Sequence, residues 1–262
     1  MESALEEIEF LALSPNRVEV LTLLAEEPRT RRELAELTDA SQPTLGRILG
    51  DFTERTWVVR EGSDYVATAT GQLVAAGFEE LLDVLDTEAT LRGVVRWLPT
   101  EALDFDLRRL SSATVTTPSQ VRPNAPVKRA LDLLGEAEDV HIFSYAFNEQ
   151  SLDVIHDRTA AGEQRFRGVF AASAIDALAD DSQLRARLLE LLETETVEIR
   201  ITDEPVPLAT TVADDTVHLF LRDDNGLLQA SLDVTDEAVH GWASERFERY
   251  WDDATPLHPD DL

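Results

Sequence analysis

The sequence contains no cysteine and only one lysine, Lys128, and these absences exclude several kinds of chemistry. Without cysteine there is no disulfide, no thiolate nucleophile and no cysteine-ligated zinc site. No histidine stands two residues before Lys128, so the His-x-Lys-x4-Asp arrangement of phosphodiesterases with a histidine nucleophile is missing. Gly-x-Ser-x-Gly and His-Glu-x-x-His motifs are missing as well. We therefore expect no catalytic residue, cofactor or metal site, and a phosphodiesterase-like enzyme is the least favoured alternative.

Long apolar runs and a basic amino-terminal region are also missing. No apolar run approaches the length of a membrane span. Where a secretory signal has basic residues, this sequence has Glu2, Glu6, Glu7 and Glu9. We expect a cytoplasmic protein without a membrane partner.

Basic charge is scarce throughout the chain. Against 52 Asp and Glu stand 22 Arg and the single Lys, which gives a formal net charge of -29. This balance resembles the proteomes of haloarchaea that accumulate salt, in which carboxylate-rich surfaces keep proteins soluble. It indicates an environment rather than a function, and we interpret the acidic runs as solvated faces, not as metal sites or surfaces for a partner.

One segment departs from this acidity. Between Arg29 and Arg60 there are six Arg and five acidic residues, a balance of +1 that leaves -30 on the rest of the chain. Positive charge concentrated in one region is the electrostatic footprint of a protein that approaches DNA phosphates.

The same segment is patterned as a helix-turn-helix with a hairpin. Ser14-Pro15 begins a first helix, and the capping box Thr30-Arg31-Arg32-Glu33 opens a second. Ser41-Gln42-Pro43 caps a third helix, whose buried stripe is Leu45, Ile48, Leu49 and Phe52. Strand-like residues 57–60 and 65–68 then flank a turn. A winged helix-turn-helix over residues 1–70 is predicted.

Contacts to double-stranded DNA are expected from the third of these helices, because its amino-terminal residues enter the major groove in helix-turn-helix proteins. Its candidates, which can read base edges or hold phosphate, are Ser41, Gln42, Thr44 and Arg47. The remaining predicted contacts are Arg31, Arg32 and Arg60. Two alternatives are open. Arg31 and Arg32 could instead belong to helix charge pairs, and Gln42 and Thr44 could be ordinary exposed residues. The whole unit as a protein-interaction adaptor is the second-ranked function.

Three motifs in this region resemble archaeal winged helix-turn-helix repressor domains. They are Thr30-Arg-Arg-Glu-Leu-Ala, Ser41-Gln-Pro-Thr-Leu-Gly-Arg-Ile-Leu and Tyr65-x-x-Thr-x-x-Gly, within residues 14–71. Thr56 departs from the pattern, because such domains commonly place a glycine there in the left-handed conformation, which a β-branched residue adopts unfavourably. The exact end of the third helix is left open.

An apolar repeat at three- and four-residue spacing predicts a connecting helix or pair of helices over residues 71–98. Its members are Val74, Phe78, Leu81, Leu85, Leu91, Val95 and Leu98. Two interpretations are open: packing against the protein's own core, or dimerisation, because operators are usually read as paired half-sites. A homodimer is the expected state.

Residues 99–262 are predicted to form a second domain, since 262 residues suffice for two separate cores. Strands at 139–144, 165–171 and 197–202 alternate with helices, and further strands follow closely at 208–212, 217–222 and 227–232. Asp224-Asn225-Gly226 joins the last two as a hairpin, and Asp236 starts a final helix. The pattern predicts an α/β domain with a mixed sheet, in a chain of the α+β class.

Four further motifs extend the resemblance to nearly the whole chain. They are Phe10-Leu-Ala-Leu-Ser-Pro-Asn-Arg-Val-Glu-Val-Leu, Arg96-Trp-Leu-Pro, Arg122-Pro-Asn-Ala-Pro and Phe247-x-x-Tyr-Trp-x-x-Ala-Thr-Pro-Leu. They resemble haloarchaeal winged-helix regulators whose carboxy-terminal half is like the middle domain of a methanogenesis and filament-formation regulator. The last motif is also similar to archaeal sugar-sensing regulators. The resemblance implies a sequence-specific transcriptional regulator with a phospholipase-D-like effector or dimerisation domain.

A small-molecule effector would bind beyond the carboxyl ends of the strands, where mixed sheets tend to hold ligands. The side chains expected there are Ser144, Tyr145, Asn148, Ser173, Arg200 and Arg222. For Asn148 and Ser173 the alternative of helix capping alone is favoured. The domain could equally bind nothing and serve only for dimerisation.

Overall fold

The chain folds as two units, Met1–Leu85 and Asp86–Leu262, in a computed structural model that describes residues 2–147 and 149–262. The helices of the first unit are α1 (Glu2–Ala12), α2 (Pro15–Glu26), α3 (Arg31–Leu37), α4 (Gln42–Glu54) and the larger part of α5 (Ala69–Leu91). Its strands are β1 (Arg29–Thr30), β2 (Val58–Glu61) and β3 (Asp64–Ala67), which form an antiparallel sheet in the order β1-β3-β2. The predicted winged helix-turn-helix is confirmed.

Side-chain caps fix where α3 and α4 begin, as the sequence predicts. The Glu33 amide donates to the Thr30 hydroxyl at 3.2 Å, and the Thr30 amide donates to the Glu33 carboxylate at 2.7 Å, a complete capping box. The Thr30 amide, and after it the Thr30 hydroxyl, which donates to the same carboxylate at 2.8 Å, hold the pKa of Glu33 below its ordinary value. At the start of α4, the Thr44 amide donates to the Ser41 hydroxyl at 3.4 Å.

The amino-terminal helix α1, which the sequence analysis missed, is held by one aromatic ring. Phe10 lies between two guanidinium groups, that of Arg17 at 4.0 Å and that of Arg55 at 3.7 Å from the ring centroid. Arg17 also donates to the Phe10 carbonyl at 2.6 Å, and Arg55 pairs with Glu7 at 2.7 Å. Each cation–π contact contributes about 1 kcal/mol. The two arginines thereby hold α1 against the core, in which Leu11 is buried.

The turn after α4 explains the Tyr65-x-x-Thr-x-x-Gly motif. The Thr68 hydroxyl donates to the Thr56 carbonyl at 2.7 Å and accepts from the Gly71 amide at 3.1 Å. A side chain at residue 71 is excluded, because its Cβ would lie 2.0 Å from the Trp57 carbonyl oxygen. Thr56 itself has a φ of 58°, the left-handed conformation for which glycine is usual. Residue 56 therefore adopts the left-handed conformation although it is a threonine and not a glycine.

The second unit is a mixed sheet with helices on both faces, as predicted. Its helices are α6 (Ala125–Glu136), α7 (Glu149–Ala160), α8 (Ala172–Ala179), α9 (Ser182–Leu192) and α10 (Glu237–Asp253). Its strands are β4 (Thr114–Thr116), β5 (Asp139–Ser144), β6 (Arg165–Ala171), β7 (Val197–Thr202), β8 (Ala209–Ala213), β9 (Thr216–Arg222), β10 (Leu228–Val234) and β11 (Thr255–Pro256). Single turns of 3-10 helix lie at Val95–Trp97, Thr100–Ala102, Leu107–Leu110 and Pro259–Asp261.

The strand order is β11-β7-β6-β5-β8-β9-β10-β4. β5, β6 and β7 pair in parallel, because α7 and the α8–α9 pair carry the chain back between them. The strands that follow pair antiparallel through short turns, and Gly226 takes the φ of 78° that the hairpin after β9 requires. The sequence analysis missed the two edge strands β4 and β11, which are too short to show a periodicity.

Each face of this sheet has its own core. Helices α6 to α9 bury one face, where Leu134, Ile155 and Leu188 pack against Phe166 and Phe170. Helix α10 buries the other face, in one cluster with Trp242 and Ala243 and in a second with Phe247, Tyr250 and Trp251. The sheet therefore alternates strictly, and residues two apart on one strand face the same helices.

Residues 71–98, predicted as a connecting segment, contribute to both cores. Ala75 and Phe78 are buried in the first unit, whereas Leu91, Val94 and Leu98 are buried in the second. At 23 residues α5 is the longest helix that the structure describes. Neither α5 nor any other helix within the described ranges has the length and apolarity to cross a membrane.

Replacing Thr56 by Gly is expected to stabilise the first unit. A β-branched residue in the left-handed conformation is strained, and glycine removes that strain at a smaller cost in the entropy of the unfolded chain. The free energy of unfolding should rise by about 1 kcal/mol. Chemical denaturation of the parent and the variant measures the difference.

Asp214→Gly is the matched control, because Asp214 is the other non-glycine residue with a positive φ, 47°, among those described. Its carboxylate accepts hydrogen bonds from the Glu138 and Asp139 amides, at 3.2 and 2.9 Å. The control should therefore lose stability despite gaining a glycine. A Thr56→Gly variant no more stable than the parent contradicts the strain assigned to Thr56.

Candidate functional site

Helix α4 presents one polar face to solvent because its other face is committed to the core. Leu45, Ile48, Leu49 and Phe52 are buried, which confirms the predicted stripe. Arg47 is exposed on the opposite side, and its guanidinium has no ion-pair or hydrogen-bond partner among the described residues. Gly50 lies on the exposed surface too, and a Cβ there would meet no atom within 4 Å. This surface is open to a partner that approaches the helix backbone closely.

The residues at the tip of α4 divide into bonded and unbonded side chains. The hydroxyls of Ser41 and Thr44 lie 2.9 Å apart and bond to each other. Gln42 is exposed and its side-chain amide has no partner within the described part of the chain. In the amino-terminal half of α4, Gln42 and Arg47 are therefore exposed polar side chains without a partner among the described residues.

Arg31 is placed differently from the sequence prediction. Its guanidinium donates to the Gln42 carbonyl and lies over Gly46, where a Cβ would approach its Nη2 to 2.9 Å. Its Nε is buried and has no hydrogen-bond partner among the described residues. Arg31 thus joins α3 to the first turn of α4, which makes it a positioning residue rather than a free cation.

The other predicted arginines of this unit are exposed but engaged. Arg32 pairs with Glu36 at 3.0 Å, the helix charge pair weighed as an alternative. In the wing, Arg60 donates to the Gly62 carbonyl at 3.1 Å, and the neighbouring Glu61 is acidic. Exposed pairs of this kind are weak and exchange readily with another anion.

Half of the basic segment is used inside the fold. Of its six arginines, Arg29 pairs with Glu27 at 3.0 Å, Arg31 holds α4, and Arg55 pairs with Glu7. The positive surface around α4 is therefore thinner than the balance of +1 indicates. The composition of the sequence gives the number of charged side chains but does not show which of them pair with other residues in the fold.

In the second unit, Ser144 and Arg222 from the predicted effector set line one cavity of about 50 Å³. It lies on the α6–α7 side of the sheet. The Ser144 hydroxyl accepts from the Ala146 amide at 3.1 Å and donates to the Ala146 carbonyl at 2.6 Å, so it shapes the turn after β5. Arg222 donates through Nη1 to the Gly226 carbonyl at 2.9 Å.

The other members of that set lie elsewhere. Tyr145 packs on the α10 side of the sheet, where burial raises the pKa of its phenol and the Arg222 charge opposes that rise. Ser173 is exposed and does not cap α8, whose N-cap residue is Ala171. Arg200 donates to the Trp251 carbonyl at 2.7 Å and stacks on that ring at 4.2 Å, which is a structural role. Asn148 lies outside the described residues.

A buried polar network lies on the α6–α7 side of the sheet, and no clear sequence pattern predicts it. His218 is fully buried and lies 2.5 Å from Asp233, whose second oxygen accepts from Arg129. Burial alone would raise the pKa of Asp233, but the hydrogen bonds from His218 and Arg129 outweigh it and hold that pKa below its ordinary value. No sequence pattern identifies Asp233, across the β9–β10 hairpin, as the partner of His218.

Two family models match the sequence. The HVO_A0261 N-terminal domain matches residues 5–90, and the middle domain of the methanogenesis regulatory protein FilR1 matches residues 123–253. No curated protein matches the chain.

The solved structures to which the chain is similar include TrmBL2, an archaeal chromatin protein with a novel mode of DNA binding, at 16% identity and a TM-score of 0.44. That similarity covers 95% of this chain and 96% of TrmBL2. The phospholipase D family member Nuc from Salmonella typhimurium has 11% identity and a TM-score of 0.44, over 56% of this chain and 99% of Nuc. NucT from Helicobacter pylori has 11% identity and a TM-score of 0.45, over 55% of this chain and 98% of NucT.

Replacing Asp233 by Asn is expected to destabilise the second unit, because it removes the buried charge between Arg129 and His218. Breaking a buried pair costs about 3 kcal/mol at neutral pH. The depressed pKa of Asp233 means that its contribution is complete above the unfolded value, about pH 4, and is lost as the pH falls through the folded value. The difference between parent and variant should therefore shrink below about pH 4, as denaturation at several pH values measures.

Asp106→Asn is the control for this experiment. Hydrogen bonds from Arg108 lower the pKa of Asp106 to about 2, but the pair is on the surface. Its loss should change stability little at neutral pH. Equal losses of stability in the two variants would show that burial does not increase the contribution of the Asp233 network to the free energy of unfolding.

Proposed function

Because the chain belongs to the family of the FilR1 middle domain, we propose that it is a sequence-specific, DNA-binding transcriptional regulator. The observation that carries the proposal is the free face of α4, with Gln42 and Arg47 unpaired on a helix whose other side is buried. The winged helix is the reading unit and the second unit is an effector or dimerisation domain. We assign no catalytic step to either unit and place the protein in the cytoplasm.

The contacts follow from the chemistry of the free side chains. Gln42 offers a donor and an acceptor that match adenine, and Arg47 offers the guanidinium that matches guanine or a phosphate. Gly50 has no side chain on the exposed surface of α4, so the helix backbone can lie close to the groove there, whereas Gly46 makes room for the Arg31 guanidinium. Arg31 fixes the first turn of α4 by its hydrogen bond to the Gln42 carbonyl, and so aims Gln42.

Binding of this kind does not depend on long-range attraction. The chain carries a net charge of -29, and DNA is also negative. In molar salt the screening length is about 3 Å, so repulsion between the acidic surface and DNA is suppressed together with any attraction. Affinity then rests on contacts made at hydrogen-bond distance in the groove, which favours sequence-specific binding over general binding to phosphates.

We also propose that the protein is a homodimer that uses α5. Apolar side chains are exposed along this helix, which is unusual for so acidic a surface; they are Leu73, Leu81, Leu82, Val84 and Leu85. A two-fold dimer would present two α4 helices to major grooves about 34 Å apart. Binding of a dimer to paired half-sites would supply affinity that a single winged helix with little positive charge lacks.

Arg47→Ala is expected to weaken operator binding and leave the fold intact, because the side chain is exposed and unpaired. The loss of one base or phosphate contact costs about 1 to 3 kcal/mol, a factor of about 5 to 150 in affinity. Capture of genomic DNA with the tagged protein identifies the operator, and fluorescence anisotropy in molar KCl measures the affinity.

Arg185→Ala is the control, since Arg185 is an exposed arginine of the second unit and its replacement by Ala removes the same charge. It should leave operator affinity unchanged. Equal affinities of the Arg47 variant and the parent would remove α4 as the reading helix. Failure to capture any DNA, with proteins captured instead, would favour the adaptor function.

The double substitution of Leu81 and Leu85 by Ser should convert the full-length dimer to a monomer, because both side chains are exposed on α5, by 37% and 52%. Light scattering in molar KCl gives the mass. The matched control replaces Val121 and Leu227, which are exposed by 86% and 63% in the second unit, and should remain dimeric. A parent that is monomeric across the micromolar range rejects this proposal.

A further inference from the structure

We propose that the cavity beside Arg222 binds a short-chain monocarboxylate, an anion with a small branched or linear apolar tail. This inference rests on the proposed role of the second unit as an effector domain and names the chemical class of the effector. It assigns a function to Arg222 and gives no direct contact with the effector to the other predicted effector residues.

The cavity is built by the alternation of the sheet. In the register of the strands, Ser144 lies beside Phe170 on β6, and Ala209 on β8 lies beside Phe220 on β9. These side chains share the face that α6 and α7 cover, and Arg222 follows two residues after Phe220 on the same face. The position is fixed by strand pairing, not by a loop.

Arg222 supplies a charged donor that the fold leaves unused. Its Nη1 is anchored to the Gly226 carbonyl, which holds the guanidinium in place. Its Nε is buried and has no hydrogen-bond partner among the described residues. An unmade hydrogen bond on a buried charged group is costly, and most such groups in proteins are paired. The Nη2 atom of the same guanidinium also has no hydrogen-bond partner among the described residues and, unlike Nε, is accessible. A carboxylate oxygen beside Nη2 would form a charge-assisted hydrogen bond with it.

Thr211 supplies a second polar group. It lines the cavity, is 3% exposed, and its hydroxyl has no hydrogen-bond partner within the described part of the chain. In the strand register Thr211 pairs with His218, four residues before Arg222 on β9, so its hydroxyl lies at the other end of the cavity from the guanidinium. The guanidinium edge alone matches one carboxylate, whereas a phosphate dianion needs more donors to leave water.

The rest of the lining selects the tail. Leu134, Ile142, Phe147, Phe170 and Phe220 surround the cavity with apolar surface. Its volume of about 50 Å³ has room for roughly three or four water molecules, or a ligand of comparable size. Sugars and nucleotides are too large and too polar for it. Propionate and isobutyrate combine the required charge, size and apolar surface.

The test is calorimetric titration of the full-length protein with isobutyrate, in molar KCl and without DNA. Isobutyramide, which has the same shape and no charge, should bind at least tenfold more weakly. Arg222→Gln should weaken isobutyrate binding by at least tenfold, whereas Thr211→Val, at the other end of the cavity, should change it little. Arg185→Gln, which removes an exposed charge on α9, should bind like the parent.

Absence of isobutyrate and propionate binding to the parent overturns the proposal, and so does equal binding of the acid and the amide. Tighter binding of inorganic phosphate than of isobutyrate overturns the assigned class. The comparison of acid and amide uses only the parent, so it decides the question even where the Arg222 variant does not fold. Because DNA is absent, the titration is independent of the operator assay. If the protein bound isobutyrate but captured no operator, the proposed regulator function would be rejected and the proposed carboxylate site would stand.

Discussion

The excess of carboxylates dictates how this protein uses its arginines. With 52 acidic residues against 23 basic ones, many of the described arginines pair with an acid. The two units use the same arrangement to give these cations a structural role. Phe10 lies between Arg17 and Arg55, and the Trp251 ring lies between Arg167 at 4.1 Å and Arg200 at 4.2 Å. A guanidinium stacked on a ring keeps its edge free for an oxygen, so one side chain joins aromatic, carbonyl and carboxylate groups.

The same constraint shapes the candidate interface. A winged helix in a basic protein can surround its reading helix with phosphate contacts, but here Arg31 and Arg55 are bound within the fold. What distinguishes α4 is therefore not the amount of positive charge but that the side chains of Gln42 and Arg47 have no partner among the described residues. Specificity by a few close contacts is the form of recognition that concentrated salt leaves intact.

Local signals predicted most of the fold. Caps at Thr30 and Ser41 and the hairpin glycine act within a few residues, and the limits of β5, β6 and β7 agree with the predicted strands. The missed elements depend on distant contacts: α1 is held by Arg55, which is 45 residues beyond Phe10 in the chain.

The candidate sites were harder to predict for the same reason. Sequence position placed Arg31 at a groove and Arg200 at an effector, and both side chains have tertiary partners that no spacing reveals. Ser144 and Arg222 could be brought together in advance because both follow from the rule that strand ends gather ligands. Asp233 could not, since its importance comes from neighbours on adjacent strands.

The two shortest strands of the large sheet have a consequence for how the protein behaves among its own copies. β11 lies along β7 at one border and β4 lies along β10 at the other, and neither exceeds three residues. Each covers part of a longer strand whose amide groups would otherwise face solvent, and Pro256 offers no amide of its own. A fragment trimmed after α10 or begun after Thr116 would lose one of these covers. The whole edge of a six- or seven-residue strand would then be open to intermolecular pairing, so these short strands limit association between copies of the chain.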